Sequence, residues 1–186
     1  MHWVRILSAI AVLAATPALA DDITDAIDQA RKAYQAGDFA GAKQSLDTAS
    51  QLIGQKNAEI FAALLPAPLP GWKAEKPEVA SVGVAMFGAS SASRRYTRSD
   101  GKQIEVRITG DSAMVMQFAQ LFMNPAIAGA MGKLVRVGSQ RAIQTHEGDV
   151  NMVISNKFLV SVTGSGPVDA KLAYAQAVDI AKLSKM

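Results

Sequence analysis

Residues 65 to 72 read Leu-Pro-Ala-Pro-Leu-Pro-Gly-Trp, and this run constrains the fold more than any other part of the chain. Pro66, Pro68 and Pro70 lack an amide hydrogen and fix φ near −65°, so no helix crosses them and the backbone is held extended. The two sides of the run differ in period. Before it, apolar residues recur at helical spacing; after it, they alternate as in strands. The chain is therefore expected to divide into a helical hairpin (21–64), a proline-rich linker (65–72) and an α+β domain (73–186).

In the first part, Ile23, Ile27, Ala30, Ala33 and Tyr34 form one apolar stripe. Phe39, Ala42, Leu46, Ala49, Leu52 and Ile53 form a second. Between them, Gly37 suits the left-handed position that ends a helix, and Asp38 can cap the next. Small alanines on both helices allow close antiparallel approach. The run Ala33-Tyr-Gln-Ala-Gly-Asp-Phe-Ala-Gly-Ala42, followed by Leu46 and Ala49, resembles the middle of a tetratricopeptide repeat. The resemblance covers about thirty residues and one copy. It implies a hairpin that binds a partner or packs on the following domain or another subunit.

After the prolines, strand patterns cover Val79–Phe87 (with Val82, Val84 and Met86 on one face), Ser93–Thr97 and Ile104–Ile108. Four more cover Leu134–Val137, Arg141–His146, Val150–Ile154 and Phe158–Val162. Asp100-Gly101 marks a hairpin turn. Turns are also expected at Gly138-Ser139, Glu147-Gly148-Asp149 and Ser155-Asn156-Lys157. A helix follows Gly110-Asp111-Ser112, with Asn124-Pro125 breaking or restarting it. Pro167 opens a last helix with the stripe Leu172, Ala173, Ala177, Ile180 and Ala181. Tight turns favour neighbouring antiparallel strands, so the expected domain is a mainly antiparallel sheet of about seven strands covered by two helices. In element order it resembles the α+β sandwich of the PsbP/Mog1 type, a family of accessory domains; no residue motif is carried over.

The N-terminus predicts export. Arg5 precedes the apolar run Ile6–Ala15, and Pro17 then Ala18-Leu19-Ala20 give a small-x-small cleavage site. Residues 1–20 read as a leader cut after Ala20, which places the remainder in the periplasm. No later segment is long and apolar enough to span a bilayer. Cysteine is absent, which excludes disulfides, thiolate zinc sites and cysteine nucleophiles. The 19 Lys and Arg nearly balance the 16 Asp and Glu, so nucleic acid is not an expected partner.

The residues open to a functional role are few. His146 is the only histidine beyond the leader, so a histidine metal cluster cannot form, and no Gly-x-Ser-x-Gly elbow accompanies it. No cofactor is expected. Trp72 fits an anchor on the sheet edge or a stacking platform for a ligand. Arg94 and Arg98 share a strand face, apart from Arg95, and fit an anion site or a solvated edge that deters strand pairing. Met114, Met123 and Met131, with Met116 nearby, fit a flexible core, a pocket lining or a soft copper site. The reading that results is a non-catalytic periplasmic binding or interaction protein with an envelope partner, and possible self-association through residues 22–64. The alternative is a small-ligand or copper carrier using the segment 112–131 against the sheet.

Overall fold

The computed structural model describes residues 18–81, 89–110 and 113–186. Residues 1–17 of the expected leader (1–20), the expected strand face of Val82, Val84 and Met86, and the expected caps Asp111 and Ser112 lie outside the described residues.

Two helices come first, α1 (Ala18–Gln35) and α2 (Phe39–Leu64). Gly37 is left-handed (φ 78°), and the Asp38 carboxylate accepts a hydrogen bond from the Gly41 amide at 2.9 Å. The prolines stop α2 where their chemistry requires. An eight-stranded, wholly antiparallel sheet follows: β1 (Trp72–Ala74), β2 (Glu78–Ser81), β3 (Ser90–Arg98), β4 (Gln103–Gly110), β5 (Gly132–Val137), β6 (Gln140–Thr145), β7 (Val150–Ile154) and β8 (Phe158–Thr163). Its order is β1-β3-β4-β8-β7-β6-β5, with β2 also on β3. Helices α3 (Ala113–Met123) and α4 (Pro125–Met131) lie between β4 and β5; α5 (Val168–Ala177) and α6 (Ile180–Leu183) close the chain. The molecule is an α+β protein.

The strand beyond the expected seven is β1, at whose start Trp72 stands. Ala74 pairs with Tyr96 and Glu78 with Ser93, so four residues of the margin span three of β3. β1 and β2 are thus one margin strand interrupted by a bulge at 75–77, and Pro77, which cannot donate to a ladder, sits in it. A three-residue strand carries too little alternation to be read from sequence. The helices number more than two because each stretch is split: Asn124 caps α4 on the Ala126 amide and Pro125 opens it.

One sheet face carries the main core. Ala92, Tyr96, Ile104, Val106, Ile108, Val150, Met152, Ile154, Val160 and Val162 alternate inward. They are covered by Phe61, Leu64 and Leu65 at the end of α2, and by Tyr174, Ala175, Val178 and Leu183 from α5 and α6. The buried side of α5 is Lys171, Tyr174 and Ala175, continued by Val178 just past its end; it is rotated from the expected stripe, with Ala177 and Ala181 exposed. The lysine turns inward because Asp149 meets it at 2.6 Å. On the opposite face, α3 and α4 cover the β5–β8 half, burying Val115, Ala128 and Ile143. No helix among the described residues is long and apolar enough to cross a membrane.

Candidate functional site

Trp72, Arg94 and Arg98 are brought together, and what they surround is the chain's own linker. Pro70-Gly71 form the centre of a tight turn in which the Trp72 amide donates to the Leu69 carbonyl at 2.9 Å; Gly71 takes φ 82°, which a side chain would resist. The turn drops the Trp72 ring edge-on against Tyr174, with centroids 5.8 Å apart. Arg98 lies over the indole at 5.3 Å and forks onto Asp100, with bonds of 3.0 and 2.6 Å. That guanidinium holds the Asp100 carboxyl down to about 2.

Register places Arg94 between Ala92 and Tyr96 on the core face of β3. Its Nη1 donates to the Pro66 carbonyl at 3.2 Å, and the Tyr96 hydroxyl donates to the same oxygen at 2.6 Å. Burial pushes the Tyr96 hydroxyl up to about 12. The Leu69 amide in turn donates to the Tyr174 hydroxyl at 3.2 Å. These residues therefore fasten the linker: Trp72 is the buried anchor, Arg98 is paired with Asp100, and Arg94 is tied to Pro66 through Nη1 while its buried Nε has no hydrogen-bond partner among the described residues.

The methionines do not assemble. Positions 114 and 123 lie nine residues apart on one helix, two and a half turns, so their backbones stand on opposite sides of its axis and roughly 13 Å apart along it. Their side chains lie outside the described atoms. Met116 is exposed, Met131 is half-buried at the end of α4, and Met152 is wholly buried in the core. Among the described residues no group of three or more His, Asp or Glu side chains could hold a metal ion. His146 is exposed on the β6–β7 turn.

The hairpin holds the largest departure from the stripes expected of it. Those stripes divide mainly by size. Ala30, Ala42 and Ala49 are buried, with Ala26 beside them, whereas Ile27, Tyr34, Phe39, Leu46 and Ile53, with Ile60 beyond them, are 39–68% exposed; Ile23, Ala33 and Leu52 are half-buried. Alanine lets the two backbones approach closely and leaves no room between them for the large side chains, which face outward. On α2 the exposed residues 39, 46, 53 and 60 repeat every seven; on α1, 27 and 34 do the same. Tyr34 and Phe39 touch edge to face with centroids 5.8 Å apart, so both sets share one side of the hairpin. Seven residues bring a helix back to within about 20° of the same direction, which makes each set a continuous seam. The signal was present in the sequence as a period of seven in the large residues alone; pooling them with alanine hid it.

A second feature missed in the sequence lies between α3 and the sheet. A cleft of about 240 Å³ is lined by Ala119, Leu134, Arg141, Val153 and Asn156, among others. A neighbouring hollow of about 270 Å³ adds Val135 and Arg136.

No family model, curated protein or solved structure matches this chain.

Proposed function

We propose that this chain is an exported, non-catalytic accessory protein that docks a helix of a partner protein along the outer face of α1–α2. The seam at 27, 34, 39, 46, 53 and 60 carries this reading. A period of seven fits another α-helix, because two helices that repeat every seven residues wind around each other with their seams in contact. The exposed side chains present on the order of 600 Å², the low end of what a specific interface covers on each side. Isolated apolar residues on a surface are ordinary; a contiguous strip of this size marks an interaction site. The resemblance of residues 33–49 to a tetratricopeptide repeat supports the same use.

A second reading, the same face closing on another copy, is favoured by the charge order of α1. Asp22, Asp25 and Asp28 come first, and Arg31 and Lys32 last, so an antiparallel copy would set acids against bases.

A photo-crosslinking residue placed in turn at 39, 46 and 53, compared with one at the exposed polar position 43, tests both. One product common to the three seam positions, absent from 43 and lost in Leu46→Glu, supports docking there. A product of twice the chain mass identifies a second copy instead. Equal products from 43 and the seam, or none from either, remove the proposal. Export is tested separately by N-terminal mass analysis, where a mature start at Asp21 is expected and retained Met1 in cytosolic protein overturns it.

A further inference from the structure

We propose that the cleft between α3 and the β5–β6 hairpin, together with the adjoining hollow that shares Leu134 and Arg141 with it, binds an amphipathic phosphate, its anion held by Arg141 and by Arg136 of the hollow and its apolar part lying on Leu134 and Val153. The argument starts from how arginines are used elsewhere in the described residues. Arg31 meets Asp28, Arg94 the Pro66 carbonyl, Arg95 both Glu75 and Glu105, Arg98 Asp100, and Arg107 Glu105. Only Arg136 and Arg141 have no partner among the described residues, and both are exposed. They are also register partners, directly opposite each other on β5 and β6.

Opposite residues of an antiparallel pair stand about 4.5–5.5 Å apart at Cα and point to the same face, so two like charges here repel and weaken the pair. Among the described residues no acidic side chain pairs with either. From Ser112 to His146 the sequence contains Lys133, Arg136 and Arg141 and not one Asp or Glu. Asp149, farther along β6–β7, is occupied by Lys171.

Two adjacent guanidiniums match an anion of charge near −2 with several acceptor oxygens, which is a phosphate monoester. The surroundings specify the rest of the ligand. Register carries Arg141 onto the face of Val153, and Leu134, two residues from Arg136, is 51% exposed beside it. Ala119 of α3 forms the opposite wall, and Asn156 lies at the mouth on a turn whose residues 155 and 156 are both left-handed. About 240 Å³ is below the usual size of a pocket for a whole drug-sized molecule and suits a headgroup with the first part of a chain.

The test titrates the purified protein with inorganic phosphate, monododecyl phosphate and the uncharged dodecyl maltoside, following amide chemical shifts. Monododecyl phosphate is expected to bind saturably, with shifts at 134–141 and 153–156, at least tenfold tighter than inorganic phosphate. Arg136→Gln/Arg141→Gln should lose at least tenfold in that affinity while its melting temperature stays at or above that of the wild type, because a repulsion has been removed. Leu134→Ser should lose the advantage of the dodecyl chain and retain the response to phosphate. Vesicles then distinguish the source. Arginine-dependent retention on vesicles containing phosphatidic acid, whose headgroup is a phosphate monoester, and not on phosphatidylcholine, assigns a lipid headgroup; soluble binding without retention assigns a free phosphate compound. Equal affinity of the double glutamine variant, or equal binding of dodecyl maltoside, overturns the proposal.

Discussion

Lys171 and Asp149 show how one buried charge organises its neighbourhood. The lysine is 2% exposed, its ammonium 2.6 Å from the Asp149 carboxylate and 3.5 Å from the Glu147 carbonyl, which ties α5 to the β6–β7 turn. Removing one member of such a pair is costly because the other is left charged and buried. Asp149→Ala should therefore destabilise by about 3–5 kcal/mol in urea unfolding. Lys171→Met should cost less, because Asp149, with a fifth of its side chain exposed, can turn to water. Tyr96 gives a pH signature. Its hydroxyl is pushed up to about 12, whereas an unfolded tyrosine ionises near 10. Below about pH 10 both states keep the proton and the stabilising effect is complete. Between about 10 and 12 the unfolded chain releases a proton that the native state retains, so stability falls as pH rises. Urea midpoints at pH 9 and 11.5 should show that fall. Tyr96→Phe should reduce its slope and, by losing the bond to Pro66, cost about 1 kcal/mol at neutral pH. Tyr174, also raised by burial, leaves a residual slope.

At the scale of elements, α2 reaches the sheet because β4 ends in glycine. A Cβ on Gly110 would stand 2.7 Å from the Phe61 ring and 2.8 Å from that of Phe158, two rings that meet edge to face. Gly110→Ala should force this contact apart at a cost of about 1–3 kcal/mol, read as a lower melting temperature with unchanged helix content. Such close approaches explain which parts of the fold sequence patterns reach. Period two located the β4, β7 and β8 strands, since each buries one face and leaves the other half-open. Asp100-Gly101 and Ser155-Asn156 located their turns, since their backbone angles select those residues. The short β1 strand stayed hidden because its partner, not its own pattern, makes it a strand. The site residues divide likewise. Trp72, Arg94 and Arg98 stand out by residue type, but their use depends on Pro66, Leu69 and Asp100, whose proximity only the fold supplies. The α1–α2 seam and the Arg136–Arg141 pair depend on which side of an element is left uncovered, and periodicity gives the sides without saying which one is covered.

At the scale of the whole molecule, the hairpin and the sheet share one core, since Phe61, Leu64 and Leu65 pack with Tyr96, Val106 and Val160. Residues 65–186 expressed alone should therefore lose cooperative unfolding or melt at least 10 °C lower than the longer chain; an unchanged transition would show that the helices contribute nothing to that core. The proline segment that sequence marks as a spacer is pinned along its length, by Arg94 and Tyr96 at Pro66 and by Tyr174 at Leu69. A flexible tether would let the helical arm swing and dissipate a tug from whatever it grips. Here the joint behaves as a weld: load applied to the arm passes through Tyr96 into β3 of the sheet and through Tyr174 into the helix α5 packed on it, so arm and body move as one rigid lever.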